Sequence, residues 1–524
     1  MPECSRAIGG PAFPWGVSSS PNRGAQFGFG CGANSFVWES AAVVFPRRIC
    51  MMVRHNSRGA AKTAAIACNM TPRSESRRTT RQRQSVDPAQ FIPCFEYRGS
   101  PSRKQNLFCE GVSLDQVAGS VGTPAYLYSR ASIEGTYRSL ERAFGSFPHT
   151  VCYAVKANSN LAVLGVLADL GSSFDIVSGG ELDRLRRVGV PGHCIVFSGV
   201  GKTAEEIRDA LRYPGDNSSR RGILLFNVES AAELDVLLAE ASRHVSGGGA
   251  RPSASLRVNP DVMAGGHPHI ATGTREHKFG VHWEEARRLY LAHKDSRWLV
   301  WRGISAHLGS QIFSLNPYRQ ALTRLASYVK DLALQGIQLD YVDIGGGLGI
   351  RYTRESPLVL ARYARALAQI IRPFDCRLLI EPGRALVGPS GVLLTRVLYV
   401  KENGTKTFVV VDAAMNDLIR PVLYGATHAI TPAVRDRSAR AKTKRVDVVG
   451  PVCESADFLA RDWPLPPVRK GDVLVVWTVG AYGFVQSSNY NTRRRAAEVI
   501  VEGREFRIVR QRETYDDLVR GEQL

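Results

Sequence analysis

The chain is short of several features that would place it quickly. Its ten cysteines include no Cys-x-x-Cys pair and no regular spacing. That argues against a zinc site or a disulfide framework, and nothing else in the chain has metal-ligand spacing. Unpaired thiols in a chain of this size fit a reducing compartment. No apolar run is long enough to span a bilayer. Beyond residue 87 no stretch of Lys and Arg is interleaved with aromatic residues, so the net charge of +20 does not mark a nucleic-acid surface there. Acids are scarce at the start: residues 1–87 hold 12 Lys/Arg against 4 Asp/Glu, a net +8, leaving +12 for the remaining 437 residues.

That first segment also lacks periodicity. It is rich in Ser, Arg, Gly and Pro, and runs such as Ser74–Arg81 cannot bury enough apolar surface to order themselves. Two readings fit. One is a transit peptide, which would place the protein in a plastid stroma. The other is an over-long gene start, with translation beginning near Met51, Met52 or Met70, and a cytoplasmic protein. On either reading residues 1–87 are a disordered basic extension outside the fold.

What is there begins near residue 90. Residues 88–129 hold short strands, among them Ala125–Tyr128, and a helical stretch follows at 131–145. Eight apolar runs of strand length come next: Val151–Val155, Ser173–Val177, Cys194–Phe197, Ile223–Phe226, Ser255–Val258, Trp301–Ala306, Tyr341–Ile344 and Arg377–Ile380. Most precede an amphipathic helical stretch. Strands alternating with helices predict a parallel sheet, and eight units over this length predict an α/β fold with a (β/α)8 barrel at 130–388. After about 389 the helical pattern thins. Runs such as Gly391–Val400, Thr407–Val411 and Asp472–Trp477 predict a C-terminal β-rich domain at 389–524, which residues 88–129 are expected to join.

In such a barrel, chemistry sits at the C-terminal ends of the strands. Here those ends carry Lys156, Ser178–Glu181, Ser198-Gly199, Asn259–Asp261, His307–Ser310, Gly345–Gly347 and Glu381–Arg384. Taken singly, each has an ordinary explanation. A glycine triplet marks a tight turn, a lone His is a satisfied core residue, a Lys is a solvated rim charge, and Glu-Pro-Gly-Arg is a turn with an ion pair. Converging on one rim, they predict a cofactor site.

The motifs carrying these residues are Tyr153–Asn158, Phe174–Leu182, Lys278–Val281, His307–Gln311, Asp343–Gly349, Glu381–Arg384, Gly450–Ser455 and Gly480–Gly483. In this order they resemble the barrel-type pyridoxal-phosphate decarboxylases of basic and dicarboxylic amino acids, whose fold is that of alanine racemase. Within that group the chain is most similar to the diaminopimelate decarboxylases, over about Phe95 to Val501. The resemblance implies pyridoxal 5'-phosphate as cofactor, bonded to Lys156. The pKa of such a lysine falls when it is desolvated beside other cations. His307 would lie against the cofactor ring, and Glu381 would keep the ring nitrogen protonated so that the ring acts as an electron sink. Ser310, Gly346, Gly347, Arg384 and Tyr482, with Pro382 and Gly383 in the same turn, would hold the phosphate or lie close to it, the glycines by letting backbone N–H groups approach. Arg384, Arg420, Tyr424, Glu454 and Tyr482 would bind substrate, Glu454 at the distal ammonium. Cys453 would be the general acid that returns a proton to the carbon losing CO2. Cys453 and Glu454 would come from a second subunit, making the active unit a homodimer.

Diaminopimelate carries a distal carboxylate as well as an ammonium. Arg420 beside Glu454 suits that zwitterion, so the implied reaction is meso-2,6-diaminopimelate to L-lysine and CO2, the last step of lysine biosynthesis. The alternatives are a decarboxylase of ornithine or arginine, and a non-catalytic regulator of the same fold. A regulator would be expected to lose the lysine or the phosphate groups, which this chain keeps. The run Gly483–Asn491 and the basic Arg493–Arg495 depart from the family pattern.

Overall fold

A computed structural model describes residues 87–100, 104–214, 222–262, 278–436 and 443–524. The expectation for residues 1–87 therefore lies, except for Asp87, outside the described residues. Eight parallel strands close into a barrel in chain order: β1 (His149–Ala154), β2 (Ser173–Ile176), β3 (Ile195–Phe197), β4 (Leu225–Val228), β5 (Ser253–Arg257), β6 (Val300–Ser305), β7 (Tyr341–Asp343) and β8 (Arg377–Ile380). The barrel closes by pairing β8 to β1, Leu378 against His149 and Ile380 against Val151. β2, β3 and β4 are buried along their whole length, which is why parallel strands of this kind read as continuous apolar runs rather than alternating ones.

Between the strands run helices such as Gly179–Val188, Ala204–Leu211, Ala231–Ser246 and Leu315–Leu334. Their starts are set by local chemistry. The Ser178 and Ser230 hydroxyls accept from the backbone N–H groups of Glu181 and Glu233. Thr203 and Glu206 exchange two such bonds in a capping box. Each satisfies an N–H that a helix start would otherwise leave without a partner.

The chain then builds a second layer. Gly391–Asn403 is a long strand that pairs with Ala125–Ser129, Lys406–Val411 and Val473–Trp477. Ala125–Ser129 also pairs in parallel with Ala497–Glu502, so a strand preceding the barrel lies inside the C-terminal sheet. A smaller sheet joins Phe95–Gly99, Lys104–Cys109, Val112–Ser113 and Val434–Asp436. The sheet region touches the barrel mouth through the segment after Val473–Trp477. The Tyr482 N–H donates to the Ala157 carbonyl at 2.8 Å, and the Asn158 amide donates to the Gly480 carbonyl at 3.0 Å. Among the described residues no helix is long and apolar enough to cross a membrane.

Candidate active site

Lys156 does not end β1 itself. It sits in the single 3-10 turn Val155–Ala157 that follows the strand. Gly383 packs against this turn so closely that a Cβ there would lie 2.9 Å from the Ala157 Cβ. Pro382 is buried beside it. The Lys156 ammonium donates to Asp175 Oδ2 at 2.5 Å. Asp175 is fully buried on β2, whereas the Lys156 side chain is 34% exposed. The expectation of a lysine softened by neighbouring cations is corrected here. Burial works against the ammonium, but Asp175, Glu381 and Tyr482 outweigh it and hold the pKa well above the ordinary lysine range. The neighbours are acids, and opposite charge wins over desolvation.

The next carboxyl is Glu381, at the end of β8 and 7% exposed. It is hydrogen-bonded to the buried Asp343 at the end of β7. Burial is the main cause that pushes both carboxyls upward; repulsion from Asp175 adds to it at both and from Asp343 at Glu381, while the bond between the two holds Asp343 down and Glu381 up. Asp343 also accepts from the Gly345 N–H at 2.8 Å and from the Asn227 amide at 3.1 Å. Asn227 reaches Ser198 at 3.1 Å and accepts from the Ser255 hydroxyl. This layer of the barrel is thus a polar network rather than the branched apolar filling usual for the fold.

His307 follows β6. Its Nδ1 accepts from the Gly346 N–H at 3.2 Å and lies 4.0 Å from Glu381. Burial, Arg257 and Lys156 drive its pKa well below the usual value, so the ring is neutral. The glycines have a packing reason that the sequence concealed. A Cβ on Gly346 would overlap the Glu381 carbonyl oxygen. Gly347 combines φ +95° with a Gly309 carbonyl that would lie 2.8 Å from its Cβ. The Gly346 N–H is also already used by His307.

Two arginines complete the mouth. Arg384 donates to Ser310 Oγ at 3.1 and 3.3 Å and to the Tyr352 hydroxyl at 2.6 Å, and lies over the Tyr482 ring at 4.7 Å. Arg420 reaches Tyr352 at 3.3 Å and His428 at 3.3 Å, with the Tyr424 ring 5.7 Å away. Tyr482, at φ +56°, packs against both arginines. Ser310, Arg384, Arg420, Tyr424 and Tyr482 are therefore joined by contacts, the Tyr482 N–H ties them to the turn that carries Lys156, and His307 is joined to Glu381. Cys453 and Glu454 are not. Both are exposed, and their hydrogen bonds run to Asn491 and Tyr490.

Sequence reasoning passed over Asp175, Asp343, Tyr352 and His428. The first two lie inside motifs already singled out, Phe174–Leu182 and Asp343–Gly349, and an acid inside an apolar strand was the available signal. Tyr352 and His428 carry none, because only tertiary packing brings them to the arginines.

These residues suit a pyridine aldehyde phosphate. A primary amine and a flat neutral ring stand beside three buried carboxyls, Asp175, Asp343 and Glu381, and Asp175 Oδ1 has no hydrogen-bond partner among the described residues. That surplus of acid around one amine suits a cationic ring nitrogen, and the Arg384–Ser310 pair suits a phosphate.

Comparison with known proteins agrees. Residues 130–388 match the family described as pyridoxal-dependent decarboxylase, pyridoxal binding domain. A diaminopimelate decarboxylase of Pseudomonas aeruginosa is 49% identical over 82% of this chain and 99% of its own length. One from Vibrio cholerae is 46% identical over 79% and 95%. The chain belongs to the diaminopimelate decarboxylases. As a member of that family it is a pyridoxal-phosphate-dependent carboxy-lyase, and its barrel with a separate β-rich region is the family's fold. The crystal structure of the Helicobacter pylori diaminopimelate decarboxylase complexed with L-lysine is similar at TM-score 0.72 and 40% identity, covering 78% of this chain and 98% of that one. A diaminopimelate decarboxylase of M. jannaschii in complex with L-lysine gives 0.74 and 32%, covering 83% and 98%.

Proposed function

We propose that the enzyme converts meso-2,6-diaminopimelate to L-lysine and CO2, the last step of lysine biosynthesis, in the cytoplasm. The observation that carries the substrate is the pair of nearly buried guanidiniums, Arg384 and Arg420, at 7% and 6% exposure. Among the described residues neither has a carboxylate partner. With Arg384 turned to the phosphate, Arg420 is left for a carboxylate that stays on the substrate, and ornithine, whose one carboxylate leaves as CO2, offers none. A substrate with a further carboxylate offers one.

Lys156 would hold the cofactor covalently, with His307 at its ring and Glu381 at the ring nitrogen. Ser310, the Gly346-Gly347 turn, Arg384 and Tyr482 would receive the phosphate, with Pro382 and Gly383 shaping the turn. Bound there, the cofactor supplies the electron sink that lets the bond to CO2 break and leave its electrons on carbon. Arg384, Arg420, Tyr424 and Tyr482 orient the substrate. Cys453 returns a proton from Sγ to that carbon, and Glu454 takes the distal ammonium. Their exposure, away from the other site residues, supports the reading that they act in a second copy of the chain and that the working unit is a homodimer with shared sites. In this reading residues 130–388 are the cofactor-binding barrel, and 389–524 with 88–129 are the β domain.

The test is product analysis. Purified protein loaded with pyridoxal phosphate should release lysine from diaminopimelate, and Lys156→Ala should lose both turnover and the visible absorbance of bound cofactor. Release of CO2 from ornithine or arginine but not from diaminopimelate would overturn the assignment.

A further inference from the structure

A buried arginine is normally matched by a carboxylate, because an unpaired charge out of water is costly. Arg384 and Arg420 are instead held by neutral groups. Arg384 has two hydroxyls, on Ser310 and Tyr352. Arg420 shares the Tyr352 hydroxyl and donates its Nε–H to His428 Nε2 at 3.3 Å.

The partners fix the state of His428. Its Nδ1 lies 2.9 Å from the Trp477 carbonyl, which can only accept. Nδ1 must therefore carry the proton. Nε2 faces an arginine N–H, which can only donate, so Nε2 must be bare. The ring is fully buried and stands edge-on to Tyr352, with centroids 5.1 Å apart at 89°. Burial and the nearby Arg420 and Arg384 push its pKa down to about 3. Trp477 ends a fully buried strand, which makes the anchor of this imidazole rigid.

We propose that His428 and Tyr352 are positioning residues that set substrate specificity: as neutral acceptors they fix Arg420 and Arg384 in place while leaving the Arg420 charge open to a substrate carboxylate and the Arg384 charge open to the phosphate beside it. A carboxylate at 428 would hold Arg420 equally well and cancel the charge that the substrate needs. The proposal rests on the reading that Arg420 binds substrate, and the experiment separates the two.

Four single variants are compared by KM and kcat for diaminopimelate and by competitive inhibition with pimelate, which has both carboxylates and no amine. Cofactor absorbance and thermal midpoint serve as controls for site integrity and folding. His428→Leu removes the acceptor and should raise both KM and the pimelate inhibition constant by about tenfold or more, the scale of a lost hydrogen bond to a charge, with a smaller change in kcat. His428→Gln restores a neutral acceptor and should recover most of that loss. His428→Glu matches Gln in shape and restores an acceptor, but it should remain as weak as Leu or weaker. Should the Leu variant fail to fold, the Gln and Glu pair decides alone, since they differ in charge only. Arg420→Met tests the underlying reading. If it leaves KM and pimelate inhibition unchanged, Arg420 does not bind the substrate. If it raises them, adding His428→Leu to it should cost less than about threefold more, because the two act through one contact. Glu binding pimelate as tightly as Gln, or Leu and Met effects that multiply, would overturn the positioning role while leaving the substrate reading intact.

Discussion

Asp175→Asn should shift the pH at which cofactor-free protein takes up pyridoxal phosphate. Asp175 Oδ2 lies 2.5 Å from the Lys156 amine, and it is the foremost of the acids that hold the ammonium above its ordinary range against burial. An amine must shed a proton before its lone pair can attack an aldehyde. One opposite charge in contact moves a pKa by about 1 to 3, and the 34% exposure of Lys156 lets water screen the pair, which favours about 1 to 2 here. Asparagine keeps the shape and removes the charge. Below the amine's pKa the neutral fraction changes tenfold for each unit of pKa, so uptake near pH 8 should quicken by about 10- to 100-fold. The assay is stopped-flow mixing of apo-protein with pyridoxal phosphate across about pH 6.5 to 9.5, following the visible absorbance of the lysine-bound cofactor at constant ionic strength. Stability should move in a matching way. The folded pKa of Lys156 is raised above its unfolded value, so the ion pair stabilises fully below the unfolded pKa of about 10.4 and is lost as pH climbs through the folded value. The variant should therefore be less stable than the parent at neutral pH, with the difference closing in strong alkali. Superimposable uptake profiles, or slower uptake at every pH without a shift, would refute the claim that Asp175 sets the protonation of Lys156.

Three further perturbations probe other parts of the molecule. Lys202 has a fully buried side chain that donates to the carbonyls of Gly199 and Asn227 and to Glu233, at 2.7, 2.8 and 2.7 Å. Lys202→Met should cost about 3 to 5 kcal/mol by denaturant unfolding, because it leaves the buried Glu233 unpaired, and adding Glu233→Leu should recover much of it. Gly346→Ala drives a methyl into the Glu381 carbonyl and should destabilise by about 1 to 3 kcal/mol, with weakened cofactor retention on dialysis. Mixing Lys156→Ala with Cys453→Ala protein, each nearly inactive alone, should restore up to about a quarter of wild-type activity if sites are shared across a twofold interface. No recovery after subunit exchange, verified by mass, would place Cys453 in its own chain's site or outside catalysis.

The barrel was readable because its strands are buried on both faces. Ile195–Phe197 announces itself as an apolar run buried throughout, and Arg377–Ile380 as one after its first residue. The ends were less so. His149 and Thr150 are polar yet belong to β1, because β8 pairs with them, while the apolar Val155 is drawn into the lysine's turn. The parallel pairing of Ala125–Ser129 with Ala497–Glu502 brings together strands more than 360 residues apart, and no local pattern encodes it. At the site, the residues with distinctive chemistry in distinctive motifs were legible. Those that act on them were not. The glycine triplet read as a phosphate cradle; that packing on Glu381 requires glycine at 346 whatever binds there was not legible. The charge state of Lys156 depends on which strand lies next to β1, and that neighbour supplies Asp175 rather than a cation.

The mouth of the barrel is sorted by charge, and the sorting is what neutral side chains accomplish there. Glu381 and Arg384 are separated by two residues, yet they form no ion pair. Glu381 turns to Asp343 and stands 3.5 Å from the Ser198 hydroxyl, while Arg384 turns to Ser310 and Tyr352. One cluster is left with three carboxyls around a single amine, the other with two guanidiniums and no acid. Either surplus would be cheaper if the clusters met and cancelled. Kept apart, each is relieved only by a ligand of the opposite sign, a cationic ring nitrogen at the acids and phosphate or carboxylate oxygens at the arginines. A ligand bearing both ends therefore gains at both clusters at once, whereas one bearing a single charge gains at one. It follows that giving a neutral clamp a charge, as glutamate would at position 428, damages recognition at least as much as deleting the clamp: deletion leaves the arginine loosely held, and a charge removes the reason for an anion to bind.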